Sequence, residues 1–132
     1  MNKVNGILVD VKNGVVKPYT VTGTGEKQLN AWYEVLNCDY IDIVHITVGG
    51  ERYTVVCDDE ALLKENPIPS AIGEDGVPVL YGNLFICRDK FGRDGVECAS
   101  ITSDDWPNIY KHKMFGLVGD KVINVIAPVI YG

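Results

Sequence analysis

Cys57 and the carboxylates that follow it, Asp58-Asp59-Glu60, form the first group in this chain whose types and spacing could do chemistry. A thiol placed just before a helix N-terminus can have a lowered pKa and act as a nucleophile. Here the adjacent carboxylates oppose the thiolate, no histidine is near in sequence, and strand pairing sets Asp42 opposite Cys57. The same carboxylates could hold a divalent ion, but the alternating acids and central glycine of a calcium loop are missing. Capping of a following helix is the better account of them.

The other candidates are thinner. Gly23-Thr24-Gly25-Glu26-Lys27 leads into a helix as a phosphate loop does, yet lacks the G-x-x-x-x-G-K-[ST] spacing and puts Glu26 where phosphate would sit. His45 and Arg52 could join Tyr53 and Tyr81 in a polar pocket for a small ligand. A solvated or structural histidine is the plainer reading of His45. The four cysteines, Cys38, Cys57, Cys87 and Cys98, stand singly, and the histidines complete no zinc pattern with them. They are expected to be reduced and structural. No cofactor is expected.

Charge narrows the classes further. Eighteen acidic against twelve basic residues give a formal net charge of -6. Binding to phosphates needs a basic stripe that releases counterions, and Lys111-His112-Lys113 is too short to be one. Direct nucleic-acid binding is therefore not expected. An acidic face suits a basic partner protein instead, with Glu74, Asp75, Asp104 and Asp105 as candidate contacts. No apolar run reaches the roughly 18 residues of a membrane helix, and residues 1–14 lack the apolar core of a signal peptide. A cytoplasmic protein with no membrane contact is expected. Its 132 residues fit one domain, 1–132, large enough to bury a core without staples.

These residues need elements to position them. Asn13-Gly14 between two apolar runs predicts a hairpin of residues 7–11 and 15–21, whose second strand lies at an edge because Pro18 cannot donate to a ladder. Leu29, Trp32, Tyr33 and Leu36 fall on one face of an amphipathic helix. A two-residue turn at Gly49-Gly50 pairs Val44 with Val55 and Ile46 with Tyr53 in a central antiparallel hairpin. That set buries, while His45, Thr54 and their row are amphipathic and half wet. Asp58 or Asp59 then caps a helix over residues 60–65, ended by Asn66-Pro67.

Residues 68–76 read as an exposed loop. Strands follow at 84–88 and 96–101, then a short helix through Tyr110 with Pro107 in its first turn. The nearly continuous apolar run 121–131 is expected to be a buried strand, bent or ended at Pro128. The sum is an α+β domain, mainly antiparallel sheet, with two or three short helices packed on one face.

The order YIDIVHI, Gly-Gly, RYTVVCDDEALLKENPIP, then VPVLYGNLFICR and SITSDD resembles an uncharacterised domain family. Its pattern has a "YIEVV"-like strand, a hairpin, an acidic pair, an "LKxxPxN" helix end and a glycine entry into another strand. Tyr40-Ile41-Asp42-Ile43-Val44 resembles the first strand, Asp59-Glu60 the acidic pair, Leu63-Lys64 the helix end and Gly82-Asn83 the glycine entry. Pro67-Ile68-Pro69 departs from the expected Pro-x-Asn. The resemblance covers about residues 28–105. It implies a setting, phages and conjugative elements of gut Firmicutes and related bacteria, and it brings no catalytic residues.

Together these readings lead to a non-enzymatic binding protein of a phage or mobile element that engages a host or element-encoded protein. A sharper form makes it an inhibitor of a host defence system acting by protein–protein contact. A nucleotide-like small-ligand sponge and a small cysteine- or carboxylate-based enzyme are the alternatives. The sequence does not give the oligomeric state.

Overall fold

The computed structural model describes residues 3–11, 13–22, 26–63, 68–72, 77–92, 95–118, 121–126 and 129–130. Two hairpins built on positive-φ turns supply most of its main sheet. β1 (Lys3–Asp10) and β2 (Val15–Thr22) pair antiparallel, with Ile7 opposite Pro18. β3 (Ile41–Val48) and β4 (Glu51–Asp58) pair with Val44 opposite Val55 and Ile46 opposite Tyr53, the register expected from the turn. Gly49 and Gly50 have φ of 59° and 83°, so both central residues sit in the left-handed region that this tight hairpin turn requires.

β7 (Leu84–Gly92) lies between the two hairpins, giving the order β11-β3-β4-β7-β1-β2. Its far half pairs with β8 (Gly95–Ala99), and β11 (Val129–Ile130) adds to the outer edge of β3. β2 occupies the opposite edge, where Pro18 costs no interior ladder bond.

A second sheet runs β6-β5-β10-β9, from β5 (Pro69–Ile72), β6 (Pro78–Tyr81), β9 (Lys113–Val118) and β10 (Lys121–Ile126). β5 corrects the first part of the loop expected over 68–76, since Ser70 and Ala71 are fully buried in a strand; residues 73–76 lie outside the described residues. Of the apolar run 121–131, the described residues form two strands in two sheets, Lys121–Ile126 and Val129–Ile130, and residues 127–128 and 131 lie outside the described residues. The helix expected at 60–65 is a three-residue 3-10 turn, Ala61–Leu63, in its described part.

Strand alternation divides the core in two. Val4, Leu8, Val56, Phe85 and Cys87 face α1 (Glu26–Leu36), whose Trp32 and Leu36 are buried against them. Ile7, Val9, Tyr53, Val55, Leu84 and Ile86 face the other way, toward Ala71 of β5 and Ile109 of α2 (Asp105–Tyr110). The class is α+β and mainly antiparallel, as expected. The helices, however, are divided between the two faces instead of gathered on one, because β7 offers apolar side chains to both.

Among the described residues no helix is long and apolar enough to cross a membrane. Cys38, Cys57 and Cys87 form no disulfide, and the side chain of Cys98 lies outside the described residues.

Candidate functional site

Two polar constellations stand on the α2 side of the main sheet. The first is buried. Asp105, the first residue of α2, is 1% exposed, and its carboxylate accepts from Arg88 Nε at 2.9 Å and Arg88 Nη2 at 2.5 Å. It also accepts from the Thr102 backbone N–H at 2.7 Å, the Thr102 hydroxyl at 3.1 Å and the Tyr53 hydroxyl at 2.8 Å. Asn108 Nδ2 donates to Tyr53 Oη at 3.0 Å and to the Val48 carbonyl at 2.8 Å. Arg88 reaches Glu51 Oε2 at 3.0 Å, with its guanidinium 4.8 Å from the centre of the Tyr53 ring.

The electrostatics follow from this packing. Burial pushes the Asp105 carboxyl up, but Arg88, the Thr102 N–H and hydroxyl, and the Tyr53 hydroxyl outweigh it and hold the group at about 2. Burial raises the Tyr53 phenol to about 12; the Asn108 donor opposes that rise and Asp105 adds to it. Hydrogen bonding to Asp105 is the main cause that raises the Arg88 pKa above its ordinary value. Asp105 is thus too weak a base, and Tyr53 too weak an acid, for proton transfer near neutral pH. The network anchors α2 to the sheet through satisfied, paired groups.

The second constellation is open to solvent. Asp42, Val44, Cys57, Asp58, Asp59, Ala61, Leu80 and Tyr81 line a shallow depression of about 140 Å³. The β3–β4 register places Asp42 directly opposite Cys57. Asp42 and Asp59 are exposed, whereas Asp58 is buried and accepts the Glu60 N–H at 2.9 Å. Tyr40, whose carbonyl accepts the Asp59 N–H at 3.1 Å, is 60% exposed, and Leu63 in the 3-10 turn is 80% exposed. The lining is therefore acidic at Asp42 and Asp59 and apolar at Val44, Ala61 and Leu80.

Cys57 is poorly suited to act as a nucleophile in this depression. Burial, followed by the charges of Asp42, Asp58 and Asp59, pushes its thiol up to about 12. Its sulfur lies 3.6 Å from the Asp42 carbonyl oxygen as a weak donor. Among the described residues no three His, Cys, Asp or Glu side chains are arranged to hold a metal ion.

The residues expected from sequence are dispersed. Glu74 and Asp75 lie outside the described residues. Asp104 is exposed. Asp105 is corrected from a partner contact to a buried anchor, since Arg88 and Thr102 draw its carboxylate inward. The pocket of His45, Arg52, Tyr53 and Tyr81 does not assemble. His45, with Nδ1 3.4 Å from Thr54 Oγ1, and Arg52 point to the α1 side, while Tyr53 and Tyr81 lie on the other. Tyr81 lines the depression near Cys57, four residues along β4 from Tyr53.

The sequence reading did not bring Asp42, Asp59 and Tyr81 together at one depression. Its own register, with position 57 facing Asp42, carried part of that signal. Arg88 gave no signal, because nothing local distinguishes it from any arginine in a strand.

A family model described as a domain of unknown function, DUF3846, matches residues 4–114. This agrees with the resemblance to an uncharacterised domain family and extends it past residues 28–105. Neither a curated protein nor a solved structure matches the chain.

Proposed function

We propose that the chain, which belongs to the DUF3846 family, is a non-enzymatic binding protein that engages a basic partner protein through the depression at the end of β3 and β4. The observation that carries this reading is the acidic rim of Asp42 and Asp59 around the apolar side chains of Val44, Ala61 and Leu80. A lysine or arginine side chain suits such a site, because its stem packs on the apolar side chains while its head meets the carboxylates. The net charge of -6 steers such a partner toward the surface. At about 140 Å³ the depression is well below the roughly 300–1,000 Å³ of a small-ligand pocket, so it takes a side chain and not a nucleotide.

The setting we propose is cytoplasmic, in a phage or other mobile element, with a host defence protein as the partner. This part rests on the resemblance and on the acidic charge. Affinity capture of the tagged protein from its host tests it, with Asp59→Lys run in parallel. The wild type should retain a basic protein in a salt-sensitive manner, and the variant should lose it by about tenfold or more while keeping its circular dichroism. Capture of the same protein by both would refute the depression as the site.

A further inference from the structure

The proposed partner needs backbone contacts as well as a seat for one side chain. β3 has eight residues, all paired with β4 on its inner side, while on its outer side, among the described residues, β11 pairs with Ile46 and Thr47. Among the described residues, Ile41, Asp42 and Ile43 have a ladder neighbour on the β4 side alone.

The N–H of Ile43 points outward, in the same alternation that turns Thr47 to β11. It donates to Asp42 Oδ1 at 2.9 Å. A carboxylate oxygen therefore occupies the place where an added strand would present a carbonyl.

Side chains on this edge define what could pair there. Ile43 is 46% exposed on the α1 side. Asp42 is exposed on the other side, where it shares the depression with Asp59. An incoming strand would set alternate side chains against these two faces, one apolar and one acidic.

We infer that the outer edge of β3 at residues 41–43 takes an extended segment of a partner protein, alternating basic and apolar, as an added strand next to β11. The segment's carbonyl replaces the Asp42 carboxylate on the Ile43 N–H, and the released carboxylate pairs with the segment's basic side chain. This rests on the basic-partner reading above and gives that partner a conformation and a sequence pattern. The same edge could instead be guarded, since an inward-folded charge is one way sheets avoid unwanted pairing. The experiment below separates the two.

The full chain, ¹⁵N-labelled, is titrated with acetyl-Lys-Val-Lys-Val-Lys-Val amide and with its Glu-for-Lys counterpart, following amide shifts and hydrogen exchange. The basic peptide should slow exchange at Ile41 and Ile43 by about tenfold or more at saturation, and the acidic one should leave both unchanged. Ile43→Pro should abolish the protection at Ile41. Its lost N–H faces away from β4, so the variant can keep the hairpin, much as β2 keeps Pro18. Should Ile43→Pro fail to fold, Asp42→Ala carries the test, with the peptide bound about tenfold more weakly but still protecting both amides.

Unchanged exchange at Ile41 and Ile43, equal response to both peptides, or self-association of Asp42→Ala without peptide protection would overturn the inference; the last would make the edge a guard. If Asp59→Lys loses the captured partner while folded Ile43→Pro retains it, strand addition fails and the basic-partner reading stands. If Asp59→Lys retains the partner, the basic-partner reading itself falls.

Discussion

Replacing Asp105 with alanine removes one carboxylate that accepts five hydrogen bonds, from Arg88 twice, Thr102 twice and Tyr53 once. Breaking one partner from a buried ion pair typically costs about 3–5 kcal/mol. The lower end applies here, because Arg88 is 28% exposed and keeps Glu51, and Tyr53 keeps Asn108. A loss of about 3 kcal/mol takes a large share of the roughly 5–15 kcal/mol that holds a domain together. The corresponding fall in Tm is on the order of 10 °C.

The pH dependence gives the argument its signature. The Asp105 carboxyl titrates at about 2 in the folded chain, against an ordinary value of 3.8. Its folded pKa is depressed, so its stabilisation is complete above about pH 4 and disappears as pH falls through 2. That contribution is about 2 kcal/mol, smaller than the alanine effect because protonation leaves the side chain in place. Urea unfolding at pH 7, 4 and 2.5, read by tryptophan fluorescence and circular dichroism, measures both. The wild type should lose stability across this window more steeply than Asp105→Ala. A cost under about 1 kcal/mol at pH 7, or identical acid sensitivity in the two proteins, would refute the claim that this network anchors α2.

Three further outcomes are expected. Gly49→Ala should destabilise by about 1–3 kcal/mol, because the residue has positive φ and its new Cβ would overlap Asn108 Oδ1. Gly50→Ala meets open space and should cost only its backbone strain, about 1 kcal/mol, so a denaturation series should rank the two. Cys57 should resist iodoacetamide in the folded protein up to pH 9 and react once urea unfolds it, as mass spectrometry of the tryptic peptides would record. Tyr53 has a folded pKa raised to about 12 from 10.0, so its stabilisation is present below 10 and lost as pH rises through 12. Ultraviolet titration should show a late ionisation near pH 12, and a Tyr53→Phe variant should lack that step.

What the sequence disclosed was what local chemistry decides. The Gly49-Gly50 turn fixes the β3–β4 register, Pro18 selects an edge, and Leu29, Trp32 and Leu36 mark the packed face of α1, which Val35 joins in place of Tyr33. β5 stayed hidden because its fully buried positions are Ser70 and Ala71, small residues that carry little hydrophobic signal. The helix read at 60–65 rested on capping residues, and Asp58 does cap, but a 3-10 turn follows. Asp105 looked like an exposed acid because its partner, Arg88, lies 17 residues away on another element. Asp42 opposite Cys57 was legible from register alone. Leu80 and Tyr81 were not, since tertiary packing brings β6 to the depression.

The place of β7 in the main sheet also constrains the route by which the chain can fold. β1–β2 and β3–β4 each close across short turns, on the microsecond scale of an isolated hairpin, yet they share no ladder. Each offers its inner edge to β7, which meets β4 through Val55–Ile86 and β1 through Ile7–Ile86. Both hairpins must therefore wait, half-solvated, until a strand beginning at Leu84 inserts between them. Substitutions at Phe85 and Ile86 should accordingly slow folding itself, whereas those at the two hairpin turns should act mainly by speeding unfolding. During synthesis the same order leaves two unpaired inner edges exposed until β7 leaves the ribosome, the interval in which this chain is most open to pairing with another copy of itself.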